Sequence, residues 1–227
     1  MKKNVIFVLL VVLVFIFAGC TQSPEAKNSE ETIQQILAKA KEPKNMEFEV
    51  VLTSERAPVN SMATKFYLKG EKYLAEIKTR ETTYIQSFDG ENIYNYSISE
   101  SGVYCKTDLS VSDLLLDVFD FELMAERALT ASNLMELGKE TIDGIKVRVI
   151  EFSYEDYKEH KMKVWVSEEH GIAVKIREEF EVPDTPIAGD STYTVVDFTE
   201  LKNIKFNSVQ DSVFEVPEEK ISPPENC

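Results

Sequence analysis

The chain has 227 residues, 43% of them hydrophobic, and carries 40 acidic against 25 basic side chains for a net charge of −15. A surface of that sign repels nucleic-acid phosphates and anionic head groups, which argues against a DNA- or RNA-binding role. The apolar fraction is that of a globular domain and excludes a disordered chain.

The first element is a leader. Met1-Lys2-Lys3-Asn4 is basic, Val5 to Ala18 is unbroken apolar sequence, and Gly19 and Cys20 close it. This is the pattern of a secretory signal peptide over residues 1–19. The apolar run is shorter than the roughly 20 residues that cross a bilayer, so a cleaved leader fits better than an uncleaved anchor. Phe17-Ala18-Gly19-Cys20 resembles the lipobox of bacterial-type lipoproteins. The resemblance implies a Cys20 that carries diacylglycerol and palmitate-like acyl chains, becomes the first mature residue, and anchors the protein to the outer face of the cytoplasmic membrane. Loss of Lys2 and Lys3 leaves 23 basic against 40 acidic residues, a net charge of −17.

Residues 20–29 read as the lipidated cysteine and a flexible tether, polar and containing Pro24. A helix is expected over about Glu30 to Lys41: Ser29 or Asn28 can cap it, and Ile33, Ile36, Leu37 and Ala40 fall on one stripe. Pro43 ends it. From Met46 the period becomes two, with Met46, Phe48, Val50 and Leu52 on one face. Further strands are expected at Met62–Lys69, Lys72–Thr79, Thr82–Phe88, Asn92–Ile98 and Gly102–Lys106, separated by turn sequences such as Gly70-Glu71 and Asp89-Gly90.

The strand pattern breaks at Asp108. Leu114, Leu115, Val118, Phe119, Phe121 and Leu123 make a segment apolar nearly all round, and Ser110 with Asp113 fits a capping box, so one or two helices are expected over about Val111 to Thr130. Strands resume at Met135–Thr141, Ile145–Ser153, Lys161–Val166, Ile172–Val182, Ser191–Leu201 and Ser212–Val216, with Asp143-Gly144 and His170-Gly171 as turns. The fold class is mainly β with helices (α+β): a single domain over residues 30–221, followed by a tail at 222–227. A sheet of about 11–12 short antiparallel strands curls or splits. A strongly curved, unclosed half-barrel, with the N-terminal helix and a helical plug on its concave side, accounts for the strands and for the apolar insertion.

Several hairpins resemble those of the LolA-like superfamily, the group of outer-membrane lipoprotein-sorting carriers with an RseB-like sensory branch. Gly138-Lys139-Glu140 leading to Gly144-Ile145 is similar to its G-x-E-x-x-x-G hairpin. Lys163-Val164-Trp165-Val166 before Gly171-Ile172 is similar to its W-V-D hairpin, and Phe214-Glu215-Val216-Pro217 to its closing F-x-x-P. Phe66 to Gly70 with Tyr73, then Asp89-Gly90 with Tyr94, follows the same order of hairpins. The resemblance spans about Glu30 to Ile221. It implies an unclosed barrel with an apolar cavity for acyl chains or a hydrophobic peptide. None of that family's functional residues has a counterpart that can be assigned here.

Tyr94, Tyr96 and Ile98 share one strand face, as do Tyr84 and Phe88 on the preceding strand. Cross-strand packing and cavity lining both fit them, and Tyr94 and Tyr96 are cavity candidates. The segment around Leu114 to Met124 is either an ordinary core helix or a removable plug. Cys105 and Cys227 form an even pair once Cys20 is lipidated; they are a disulfide candidate or two free thiols. His160 and His170, the two histidines, flank one strand and are too far apart to share an ion. Glu168-Glu169 and Glu178-Glu179 read as solvated charge. No HExxH, GxSxG, CxxC or phosphate-cradling glycine loop occurs, so no catalytic residue, metal or cofactor is assigned. The expected function is binding or carrying a hydrophobic ligand, lipid or acylated protein, at the membrane surface. The alternative is a protein-interaction or sensory module with an envelope partner and no lipid cargo.

Overall fold

The computed structural model describes residues 30–42, 44–55, 64–100, 102–107, 120–154, 157–183, 192–215 and 221–222. The chain divides into Met1–Thr32 and Ile33–Cys227, and the fold is that of the second unit. It opens with helix α1 (Ile33–Ala38), which tightens into a 3-10 turn at Lys39–Lys41. Six strands follow: β1 (Asn45–Ser54), β2 (Thr64–Lys69), β3 (Lys72–Lys78), β4 (Thr82–Phe88), β5 (Ile93–Ser99) and β6 (Tyr104–Lys106). Helix α2 (Phe121–Thr130) leads to β7 (Met135–Ile142), β8 (Ile145–Tyr154), β9 (Tyr157–Ser167), β10 (Ala173–Pro183) and β11 (Thr192–Phe206). A 3-10 turn at Asp211–Phe214 and a two-residue strand β12 (Ile221–Ser222) complete it.

All twelve strands form one sheet, in the order β12-β6-β5-β4-β3-β2-β1-β11-β10-β9-β8-β7. Eleven run antiparallel to their neighbours, and β12 lies parallel to β6 at the edge. The sheet is two meanders, β1–β6 and β7–β11, joined where β1 pairs with β11. β12 at one end and β7 at the other leave it unclosed. The half-barrel class expected from the sequence is therefore what forms.

The strand pattern follows side-chain alternation. In β1, Met46, Phe48 and Val50 are buried on one face, while Glu47, Glu49 and Val51 lie on the other. The β7–β8 hairpin turns on Asp143 and Gly144, both at positive φ (48° and 84°), as a two-residue type I′ connection requires. A bulge in the seam at Glu47–Glu49 is taken up by Asn203 at φ 54°, whose Nδ2 donates to Glu49 Oε2 at 2.8 Å. The G-x-E element has a visible role: Trp165 Nε1 donates to Glu140 Oε2 at 2.9 Å, tying β9 to β7 across β8.

Several expectations need correction. The helix expected from Glu30 begins at Ile33. The strand expected at Ser212–Val216 is a 3-10 turn at Asp211–Phe214: Val213 N donates to Gln210 O, and a single anchor, Phe214, is buried, so period-two burial never develops. β9 and β11 run longer than their apolar cores, because polar residues at their ends still find a paired neighbour. Ile221–Ser222 is a short strand on β6 where no strand was expected. Of the long helical insertion, the described part is α2; Leu114, Leu115, Val118, Phe119, Ser110 and Asp113 lie outside the described residues.

Among the described residues the buried side chains form two clusters. The larger lies mainly between the helices and one face of the sheet, from Ile36 and Leu37 through Met46, Phe48, Phe66, Phe121 and Ala125 to Ile150 and Val164. The smaller, on the other face of the first meander, holds Leu74, Ile85, Tyr96, Val209 and Phe214, with Tyr94, Ile98 and Tyr104 packed against it. Among the described residues no helix is long and apolar enough to cross a membrane.

Candidate functional site

The helix-covered face is built by cross-strand register. Phe48 on β1 faces Phe66 on β2, which faces Ala75 on β3 and then Gln86 on β4. On the other side of the seam Val50 faces Leu201, and the rows continue through Ile176, Val164 and Ile150. The centre of this face is apolar and aromatic. Phe48 stacks on Phe66 with centroids 5.4 Å apart, and Phe121 of α2 meets Phe48 at 6.4 Å.

Two helices cover that centre. α2 is capped by Asp120, whose Oδ1 accepts from Leu123 N at 2.8 Å. It turns Phe121, Ala125 and Ala128 inward, so Phe121 is its one large buried side chain, while Leu123 and Met124 are half-buried. Lys41, beyond α1, joins α2 through Glu122 (3.3 Å) and Glu126 (3.0 Å), solvent-exposed pairs that add little. α1 is held more firmly. Lys44 Nζ donates to Lys39 O (2.5 Å) and His170 O (3.0 Å), and Lys39 Nζ donates to Glu168 O (2.6 Å). Gly171 lies so close beneath that a Cβ there would sit 2.4 Å from Ile36 O and 2.7 Å from Ala40 N. The His170 ring stacks on Phe206 at 3.6 Å, and burial lowers its pKa.

The aromatic candidates divide between the two faces. Tyr84 and Phe88 fall on the helix-covered face, opposite Ile77 and Tyr73. Tyr94 and Tyr96 fall on the reverse face, in the smaller cluster; Tyr96 stacks on Tyr104 at 6.0 Å, and burial pushes its hydroxyl up to about 12. Cys105 on β6 is disulfide-bonded, and its partner lies outside the described residues, as do Cys20 and Cys227.

Where α2 ends, the covered face becomes ionic, in a feature the sequence reading missed. Asp197, Glu178 and Met162 follow one another across β11, β10 and β9, and Phe180 faces His160 one step on. His160 Nε2 lies 3.7 Å from Glu178 Oε2 and its ring packs on Phe180 at 5.4 Å. Burial, reinforced by the Asp197 carboxylate, raises the Glu178 pKa against the pull of His160 and Arg127. Asp197 Oδ1 is buried and accepts no hydrogen bond among the described residues. Counting outward from the His170-Gly171 turn would have found this cluster.

Glu168 is likewise not free charge. It pairs with Arg148 (5% exposed) at 2.6 Å, and Arg148 Nη1 also bonds Glu136. Glu168 and Glu178, read from the sequence as solvated, are therefore corrected, while Glu169 is 84% exposed as expected: alternation told which faces they take but not what waits there. Among the described residues no group of three or more His, Cys, Asp or Glu side chains is placed to hold a metal ion.

The raised Glu178 pKa has a sign that can be tested. A carboxyl whose folded pKa lies above its unfolded value stabilises the fold below the unfolded pKa, and that contribution is lost as pH rises through the folded pKa. Glu178→Gln is expected to match the parent near pH 4 and exceed it at pH 7, by under about 1 kcal/mol after solvent screening. Urea midpoints at the two pH values check this; an unchanged difference would mean the carboxyl is not penalised by its site.

No family model matches this chain. It is 29% identical, over 231 residues, to an uncharacterized protein of Methanocaldococcus jannaschii, with all of this chain and 59% of that protein covered. The chain thus spans well under two thirds of the curated relative it matches. Among solved structures, LprF from Mycobacterium bovis is 12% identical at a TM-score of 0.45, covering 82% of this chain and 96% of that one. The MucA/MucB complex of Pseudomonas aeruginosa is 10% identical at 0.42, covering 82% and 60%. A LolA superfamily protein from Nitrosomonas europaea is 17% identical at 0.34, covering 83% and 99%. These are likenesses only, each at a TM-score under 0.5. They say nothing about what this chain binds.

Proposed function

We propose that this is a membrane-anchored extracytoplasmic lipoprotein whose helix-covered face takes a hydrophobic ligand, a lipid or an acylated protein, in the place occupied by α2. The observation that carries the reading is the thinness of the cover. Among the described residues α2 places one large buried side chain, Phe121, on an aromatic centre of Phe48 and Phe66, helped by two alanines, a partly buried Met124 and exposed ion pairs. Withdrawing one phenylalanine costs about 1.5–3 kcal/mol, which a single buried acyl chain, at about 0.8 kcal/mol per methylene, offsets. The apolar segment before α2, with Leu114, Leu115, Val118 and Phe119, belongs to the same plug in this proposal and adds its own cost to withdrawal, against which the ligand sets all the methylenes of its chain. Cys20 anchors the protein, and the nine residues Thr21–Ser29 keep the face on the order of 20 Å from the bilayer. Cys105 pairs with Cys227: β12 sets Ser222 beside Cys105, five residues before the last cysteine.

A chain expressed from Ser29, without the Cys20 anchor, and sprayed under native conditions is expected to carry co-purified lipid mass. Phe121→Ala should raise the loaded fraction by weakening the competing helix. Repeatedly empty protein in both forms would sink the reading. The alternative, a protein-interaction module, is favoured by β7, an edge strand that leaves Met135 and Leu137 half exposed. Empty protein that recovers one stoichiometric envelope partner would decide for it.

A further inference from the structure

The reverse face of the first meander, away from the helices, holds a recess of about 900 Å³ at the far ends of β3, β4 and β5. Its floor is a cross-strand row, Glu49 on β1, Lys65 on β2, Glu76 on β3 and Ile85 on β4, with Ile98 of β5 on the next row. Lys65 stands between two carboxylates yet neutralises neither at contact distance. Its ammonium lies over the Tyr67 ring, 4.6 Å from the centroid. Glu49 accepts a hydrogen bond from Asn203, but Glu76 makes no ion pair or side-chain hydrogen bond among the described residues. Burial raises the Glu76 pKa, against a weaker opposing pull from the Lys65 charge.

The rim carries both signs, with Lys78 and Arg80 beside Glu81 and Glu100. Lys78, two residues from Glu76 on the same face of β3, and Arg80 in the following turn are likewise without an ion pair among the described residues. The two turns that carry the rim are hydrogen-bonded. Thr79 N and Thr79 Oγ1 donate to Thr82 O, Thr82 N donates back to Thr79 Oγ1, and Glu100 N donates to Glu81 O. A simple cation would satisfy Glu76 and face Lys78 and Arg80; a simple anion would do the reverse. Unpaired groups of both signs, about 7 Å apart along one strand, suit a ligand that carries both.

We propose that this recess binds a compact zwitterion, with an ammonium group on Glu76 and a phosphate or carboxylate on Lys78 and Arg80, its linker resting on Ile85 and Ile98. The site is independent of the helix-covered face and does not rest on the ligand proposed there. O-Phosphoethanolamine is a suitable probe, titrated into the full chain by calorimetry beside ethanolamine alone and inorganic phosphate alone. The intact zwitterion is expected to bind at least about tenfold more tightly than either half, as a charged hydrogen bond of ordinary strength implies. Glu76→Gln should fold at least as stably, since it removes a half-buried charge, and weaken binding about tenfold; Lys78→Ala with Arg80→Ala should do the same. Unsaturable titration, equal affinity for whole and halves, or unchanged binding in both variants overturns the proposal. Nanodiscs containing phosphatidylethanolamine that displace the probe, where phosphatidylcholine discs do not, would place the zwitterion on a lipid headgroup. Retained probe in both would place it in solution.

Discussion

Gly171→Ala is expected to destabilise the protein by about 3 kcal/mol, combining the strain of an L-residue in the left-handed region with overpacking. Gly171 has φ +68°, and its absent Cβ leaves room for the backbone of α1, not for a flexible side chain that could step aside. Relief therefore requires α1 to lift from the β9–β10 turn, weakening the hold of Lys39 and Lys44 on that hairpin. Gly70→Ala is the control. Gly70 has nearly the same φ, +62°, with nothing within 4 Å of its Cβ position, so it incurs strain alone, about 1 kcal/mol. Urea denaturation of the two variants measures the gap, and hydrogen exchange should show lost protection in α1 for Gly171→Ala alone. Equal costs would mean that the close approach does not constrain the helix.

Phe48→Ala is the other large effect. Phe48 is 1% exposed at the meeting point of β1, β2 and α2, stacked on Phe66 and touched by Phe121. Removing a buried phenylalanine costs about 3–5 kcal/mol where the surroundings cannot collapse, a large share of the 5–15 kcal/mol typical of a domain. At a slope of about 2 kcal/mol per molar urea the midpoint falls by roughly 2 M. A cost under about 1 kcal/mol would show that this centre is already loosely filled, as a cavity that exchanges ligands with its helix would be.

Much of the sheet was legible because alternation and turn chemistry are local. β4 runs from Thr82 to Phe88 as its pattern predicts, and Asp143-Gly144 turns as those two residues must. What failed depends on distant neighbours. Alternation put Tyr94 and Tyr96 on one face, but only the pairing of Ile85 with Tyr96 shows that this face lies away from the helices. Phe214 looked like part of a strand because one buried aromatic gives the same signal in either conformation. Glu168 and Glu178 looked solvated because their counterparts, Arg148 and His160, lie 20 and 18 residues away in sequence. Glu76 had no signal at all: its isolation depends on where Lys65 points.

The seam between β1 and β11 also dictates an order of assembly. Each meander is built from hairpins whose strands follow one another closely, so each can form as soon as its own sequence is available. The seam joins Met46 to Phe206 and must wait for nearly the whole chain. A protein threaded across a membrane from its N-terminus would therefore hold β1 as a bare edge, Phe48 included, until its last long strand emerged. Until then the edge of β1 is open to pairing with another chain, a hazard for aggregation.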